Sequence, residues 1–466
     1  MFRVVVAPVL AAVALLAGST SAQAQQGPWQ QQGQSLPAVP PANWFIAAEA
    51  PSYNNRVVSN VLTHLGLVRA KGEAYAAFDW DNTCMYGDIS YTSVYYQVDN
   101  LEYRIPPSQF EDVFSLGYGN SKGDECLPQA LHSVLGQDVN GKNVTLKDAI
   151  KSTSKDYKEL YKTYMAPKFG LDGKNGTAPS LDTVKQTDLY KNFRAKISFL
   201  TFGLEASYGS NERVPCAMKI GMTVFPQLLV GMTEDEIRSL IKRSIRWNLA
   251  AKLESLDFTS TGDLAVKGSY STGLRVFNGQ ETVMRALRQQ GADVYIISAS
   301  PQMFVEEVAA FTGLTFLVPK SNVYGVRFTF DGGKFTGKLV DNYPITWGPG
   351  KATVVDKFLK PMHNGKAPIY ASGDSSGDCD FLDTVRDGIV HVNNRLKSAG
   401  DCIQVFYEKS CQYYGQQDAI KNYYLLQGQD KGIGSWIPTG YSTKDGSKYA
   451  AGTVLTGNCS SYNFEV

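Results

Sequence analysis

The stretch Phe78-Asp79-Trp80-Asp81-Asn82-Thr83 decides how this chain is read. Just before it, Ala74 to Phe78 is a short apolar run, the pattern of a strand buried on both faces. The run ends in two acids one residue apart, followed by a threonine. Open parallel α/β sheets place their ligand crevice at such strand ends. Two later segments end the same way. Val294 to Ile297 runs into Ser298-Ala299-Ser300, and Ile369 to Ser372 runs into Gly373-Asp374-Ser375-Ser376-Gly377-Asp378.

Around these runs, helix and strand patterns alternate. Apolar spacing at Val57, Val58, Val61, Leu62 and Leu65 predicts a helix over Ser52 to Val68. Gln280 to Gln290 reads as a helix closed by Gly291, and Ser300-Pro301 as a cap opening a helix toward Thr312. Val323 to Lys338, broken at Asp331-Gly332-Gly333, reads as a hairpin, Lys351 to Leu359 as a helix and Gly388 to Val392 as a strand. The alternation predicts an α/β fold, a Rossmann-like parallel sheet covered by helices.

If the three strands are neighbours, Asp79, Asp81, Asp374 and Asp378 converge with Ser298 on one crevice. Carboxylates that close repel one another, and a hard divalent cation with oxygen ligands relieves the repulsion. Mg2+ is the usual choice beside phosphate. Lys351, opening a helix behind Gly348-Pro349-Gly350, is placed to offset phosphate charge. Lys338, Lys357 and Lys360 are its rivals, as Asp380 is for Asp378. Each residue also has an ordinary reading, the acids as turn formers, Ser298 as a helix cap and the lysine as a solvated charge.

Taken in order, Asp79-Trp80-Asp81-Asn82-Thr83, Ser298, Lys351 and Gly373-Asp374 with Asp378 resemble the four motifs of the haloacid dehalogenase superfamily, on its phosphoserine-phosphatase-like side. The resemblance covers about residues 70–88 and 273–395. It implies that Asp79 attacks phosphorus to form an aspartyl phosphate and that Asp81 serves as general acid, then as base toward water. It implies phosphate contacts from Ser298, Lys351 and Thr83. It also implies Mg2+ held by Asp79, the backbone carbonyl of Asp81, Asp374 and Asp378. An acid at position 81 points to a small phosphate ester, since members that break carbon–halogen bonds lack one there. The same residues would serve a phosphotransferase that passes phosphate to an alcohol, and a binding protein that kept the fold is a third reading.

Between the first two motifs lies an insertion, about residues 86–270, mostly helical in pattern. Thr233 before Glu234-Asp235-Glu236 marks a helix start, with Ile237, Leu240, Ile241, Ile245 and Leu249 as its apolar face. By the resemblance the insertion is a cap that selects the substrate. Its first segment carries Tyr91, Tyr95, Tyr96 and Tyr103 with Asp88, Asp99 and Glu102, and aromatics with carboxylates suit a quaternary ammonium group. That segment resembles its counterpart in secreted phosphorylcholine phosphatases, which makes Asp88, Tyr91 and Tyr95 candidate substrate contacts. Tyr91 and Tyr95 also lie one helical turn apart, the spacing of a packing stripe.

The remaining features bound the setting. With 45 basic and 44 acidic residues the net charge is +1, which predicts neither a nucleic-acid footprint nor a polybasic membrane patch. Arg3, an apolar run from Val4 to Ala17 and the small-residue site Ala22-Gln23-Ala24 predict a signal peptide. The run is shorter than the roughly 20 residues of a membrane span, so no membrane association is expected after cleavage. A secreted or periplasmic location follows, with a Gln/Pro-rich leader over residues 25–43. Acceptor triplets begin at Asn143, Asn175 and Asn458, fitting a glycoprotein. Seven cysteines, at 84, 126, 216, 379, 402, 411 and 459, predict that most pair and that at least one stays free or bonds to another molecule, and Cys459 is a candidate partner for Cys402 or Cys411. The expected division is a core over 44–85 and 271–400, a cap over 86–270 and a C-terminal extension over 401–466 of unassigned role. The oligomeric state is left open by the sequence.

Overall fold

The structure, a computed structural model, describes residues 49–68, 73–116, 134–171, 173, 177–208, 221–311, 314, 316–398, 400–414 and 422–443. The expected signal peptide and leader, the triplets at Asn175 and Asn458, and Cys126, Cys216 and Cys459 lie outside the described residues.

One sheet organises the core. Its strands are β1 (Tyr75–Phe78), β2 (Asp293–Pro301), β3 (Val323–Val326), β4 (Tyr370–Gly373), β5 (Ile389–Asn393), β6 (Tyr423–Asp430) and β7 (Ser435–Ile437). They lie in the order β7-β6-β5-β4-β1-β2-β3, parallel throughout except for β7 on β6. The central β1 pairs Phe78 with Ile296 on one side and with Ser372 on the other. That register brings three chain-distant loops to one edge. All four β1 residues are buried, because Ala76 and Phe78 pack into one apolar layer while Tyr75 and Ala77 pack into the opposite one.

The helices used below are, in chain order, α1 (Ser52–Val68), α2 (Ile89–Asn100), α3 (Leu146–Leu160), α4 (Asp188–Tyr208), α5 (Glu234–Ala250), α6 (Asn278–Gln289), α7 (Gln302–Ala309), α8 (Pro349–Val354) and α9 (Gln404–Gln412). Apolar residues of α1, α5, α6 and α7 fill one face of the sheet, and those of α8 and α9 fill the other. The insertion has its own core, built from α2, α3 and α4 with two hairpins, Val134–Gln137 with Asn143–Thr145 and Glu254–Thr259 with Lys267–Thr272. These hairpins are absent from a helical reading because their strands are short and hold few apolar residues, so the alternation visible in the burial of Glu254–Thr259 and Lys267–Thr272 is faint in the sequence. Only tertiary contact explains the second one. A side chain at Gly268 would meet the backbone oxygen of Ala195 on α4 at 2.5 Å.

Helix α5 starts where its sequence indicates, with Thr233 and Glu236 closing a reciprocal capping box. Its apolar stripe joins the sheet-facing layer, and Arg238 bridges Glu306 and Glu307 of α7 at 2.7 Å each. The end of the insertion is therefore packed into the core. The expected hairpin at 323–338 is a composite. Val323–Val326 is fully buried and joins β2, while the hairpin proper pairs Phe328–Asp331 with Lys334–Leu339. The helix after Ser300-Pro301 begins at Gln302 without a serine cap, because the Ser300 side chain is engaged elsewhere.

The C-terminal extension continues the sheet as β6 and β7, and α9 packs behind it. Cys402, just before α9, is bonded to Cys379 beside Asp378, across 23 residues. The pairing of Cys402 with Cys459 is thus corrected. Cys411 is disulfide-bonded, and Cys84 is a buried free thiol. Loop-closure entropy gives a bridge of this span about 3 kcal/mol. Changing Cys402→Ser is expected to cost that much in urea unfolding under oxidising conditions. An unchanged midpoint would show that the bridge contributes nothing.

A second expectation concerns pH. His391 on β5 is 1% exposed, and its Nδ1 lies 2.5 Å from the Tyr370 hydroxyl. Burial lowers its pKa from 6.5 to about 3. Between those values the unfolded chain binds a proton that the folded one refuses, so stability falls as pH drops through the window. His391→Gln should flatten the stability profile by about 3 kcal/mol between neutrality and about pH 4. Parallel wild-type and variant profiles, from denaturant titrations at several pH values, would refute this.

Candidate active site

The site grows out of the end of β1. Asp79 still belongs to the ladder, its amide donating to Ser372 O at 2.9 Å. The chain then turns, with Asn82 in the left-handed region at φ 59° and the Cys84 amide donating to Trp80 O at 2.8 Å. This turn folds Thr83 back under Asp79. Its hydroxyl lies 2.8 Å from Asp79 Oδ2 and 3.0 Å from Asp374 Oδ1. The turn is held from β5, where Asn393 Nδ2 donates to Asn82 O and Thr83 O at 2.9 and 3.1 Å. Trp80 points away from the crevice and packs its ring edge-on to Phe316.

The lysine chosen from sequence is the one that arrives. Lys351, 2% exposed at the start of α8, places Nζ 2.5 Å from Asp79 Oδ1 and 2.6 Å from Asp378 Oδ1. Its rival Lys360 pairs with Asp356 instead. Asp378 also closes the loop after β4, since its Oδ2 accepts the amides of Asp374 and Ser375 at 2.9 and 3.0 Å. Asp81 stands on the other side. Its Oδ1 accepts the Ile89 amide at 2.7 Å and its Oδ2 the Ser300 hydroxyl at 2.6 Å.

A cavity of about 200 Å3 opens above these groups, with Asp79, Asp81, Lys351 and Asp374 on its floor. Ser300 reaches the cavity, whereas Ser298 does not line it and turns its hydroxyl to the Ser300 amide at 3.0 Å and to Asp81 at 3.4 Å. The two serines are two positions apart on one strand and share a side, so sequence alone could not choose between them. Of the insertion residues, Asp88 and Tyr91 line the cavity, joined by Met222, Phe225 and, from the core, Trp347. Tyr95 does not. It packs against Trp247, Phe258 and Tyr270 inside the insertion. Only the first turn of α2 faces the cavity, so a step of one turn carries a side chain into the packing layer. Asp88 doubles as the cap of α2, accepting the amides of Ser90 and Tyr91 at 2.8 and 3.0 Å.

One functional candidate was missed. Arg395 lines the cavity and donates to Asp374 Oδ2 at 2.7 Å. The signal was available, because the apolar run Ile389 to Val392 ends in Asn393-Asn394-Arg395, the same strand-to-polar switch that marked the other loops.

Four carboxylates thus face two cations in a buried space. Burial pushes Asp79 well above the usual carboxylate range, reinforced by Asp378 and opposed by Lys351. Burial also raises Asp81, against the lowering effect of the Ile89 amide and Ser300. Burial would raise Asp374 too, but Arg395 outweighs it and holds that carboxyl below its ordinary value. For Lys351 the penalty of burial is overcome by Asp378 and Asp79, which keep it charged. Asp79, Asp374 and Asp378 each offer an oxygen within 4.8 Å of the others. An all-oxygen set of this kind fits a hard cation such as Mg2+. The Asp81 carboxyl stands outside that group.

Residues 263–383 match the family of haloacid dehalogenase-like hydrolases. The match takes in Ser298, Lys351, Asp374 and Asp378 and begins beyond Asp79, which the insertion separates from the rest of the core. No curated protein matches the chain in sequence. Among solved structures, a conserved functionally unknown protein from Anaerococcus prevotii DSM 20548 superposes with a TM-score of 0.69 at 22% identity, over 86% of this chain and 98% of that one. That likeness establishes a shared fold. A protein of unknown function from Bordetella pertussis Tohama I gives 0.33 at 13% identity, over 70% and 92% of the two chains. A phosphoserine phosphatase with a phospho-aspartyl intermediate analogue gives 0.28 at 11%, over 69% and 87%. Superpositions that loose carry no argument. Over residues 263–383 the chain is similar to haloacid dehalogenase-like hydrolases, the family its motifs resemble.

Removing the Lys351 charge while keeping its length tests the electrostatics apart from catalysis. Lys351→Met strands two buried carboxylates and should destabilise the fold by about 3 kcal/mol in urea unfolding near neutral pH. A variant as stable as wild type would mean the pair is not held as described.

Proposed function

We propose that the protein is a Mg2+-dependent phosphomonoesterase that works through a phosphoryl group carried on Asp79. The supporting observation is the setting of Asp79, a carboxylate at the end of the central strand, held between Lys351 and Thr83 and open to a cavity. Held in that way, the carboxylate needs little reorganisation to attack a phosphorus above it. Lys351 offsets charge on the phosphoryl oxygens, and Ser300 adds a hydroxyl beside them. Asp81, with its raised pKa, is suited to hold the proton that the leaving alcohol needs and then to take one from the attacking water. Asp79, Asp374 and Asp378 would hold Mg2+, which when bound supplies positive charge against the phosphate.

The cavity suits a small alcohol portion, bounded by Tyr91, Phe225 and Trp347 with Asp88 beside them. Aromatic faces near a carboxylate suit a cationic group, so phosphorylcholine is the first substrate to test. Secretion belongs to the same proposal, supported by the amino-terminal signal pattern and by disulfide use.

With p-nitrophenyl phosphate and Mg2+, Asp79→Asn is expected to abolish turnover, and Asp81→Asn to lower kcat at least about a hundredfold. Undiminished activity of Asp79→Asn would end this assignment. Equal rates on phosphorylcholine and on sugar phosphates would remove the choline reading and leave the chemistry intact.

A further inference from the structure

The four motifs do not provide for Arg395. Its guanidinium sits 2.7 Å from Asp374 Oδ2, on the carboxylate whose other oxygen faces the Thr83 hydroxyl. The Asp374 side chain is 2% exposed and that of Arg395 30%, so the arginine reaches a buried carboxylate from the cavity side. Its backbone is fixed by the C-terminal extension. The Arg395 amide donates to the Tyr407 hydroxyl of α9 at 3.2 Å, and Lys431 at the end of β6 donates to its carbonyl at 3.4 Å. The preceding carbonyl, of Asn394, accepts Gln429 Nε2 at 3.0 Å and the Ser442 hydroxyl at 2.6 Å. The guanidinium is therefore placed by tertiary structure.

A fixed positive charge on one carboxylate of an acidic triad has a definite consequence. Asp374 is shared between the guanidinium and any cation the triad holds, and like charges at such separations repel strongly in a poorly solvated site. We propose that Arg395 is a positioning residue that competes with the divalent cation for Asp374, so that its charge sets the Mg2+ affinity of the site below what the three aspartates alone would give. The C-terminal extension, by holding Arg395 in place, becomes part of the metal site's electrostatics. This rests on the Mg2+ reading given above.

The test is calorimetric titration of MgCl2 into the full chain, comparing wild type with Arg395→Met, near-equal in length but uncharged, and with Arg395→Lys. Arg395→Met is expected to bind Mg2+ about tenfold more tightly, and Arg395→Lys to return to within a few-fold of wild type. A folded Arg395→Met that binds with unchanged or weaker affinity overturns the inference while leaving the Mg2+ reading in place. No binding by any of the three overturns both. Should Arg395→Met fail to fold, NMR of arginine guanidinium groups in the wild-type protein decides the matter. The Arg395 signal, assigned by its loss in Arg395→Lys, must shift on adding Mg2+, and a signal unmoved at saturation overturns the proposal.

Discussion

An ammonium group buried between two carboxylates holds this site together. Lys351 lies between Asp79 and Asp378, and each acid belongs to a different loop at the end of a different strand. Burial penalises the lysine's charge, and the two aspartates beside it outweigh that penalty. The contact ties the start of α8 to the ends of β1 and β4, so the geometry of the candidate nucleophile is set by charge pairing as much as by the backbone.

That pairing depends in turn on strand order. β1 lies inside the sheet with all four residues buried, and β2 and β4 pair with it in parallel. Only this arrangement sets the loops at 79, 298 and 374 side by side, although the insertion separates the first from the others by more than two hundred residues of chain. The insertion then covers the crevice. Its first helix contributes Asp88 and Tyr91, and its last helix is bolted to the core through Arg238 and α7.

The C-terminal extension is the part of the molecule whose role changes most on seeing it folded. Read along the chain, it is a Tyr- and Gly-rich stretch without a pattern. Folded, it lengthens the sheet by two strands, packs α9 against the sheet face opposite α1, and fixes the loop carrying Asn393 and Arg395. The Cys379–Cys402 bridge links that region to the turn of Asp378. Two of the loops that form the crevice are thus anchored to it.

The sequence by itself determined the strand-end acids, the lysine at a helix start and the alternation that makes a parallel α/β core. Those features are local, since a buried run ending in Asp79 or Asp374 and a glycine-flanked Lys351 carry their signal within a few residues. Only the tertiary structure decided that Ser300 and not Ser298 reaches the cavity, that Tyr91 faces it while Tyr95 packs inside, and that Arg395 sits on Asp374. Each of these turns on which way a side chain faces relative to elements far away in sequence. The hairpins of the insertion belong with them, because short strands with few apolar residues leave only a faint periodicity in the sequence and are held by the neighbours they touch.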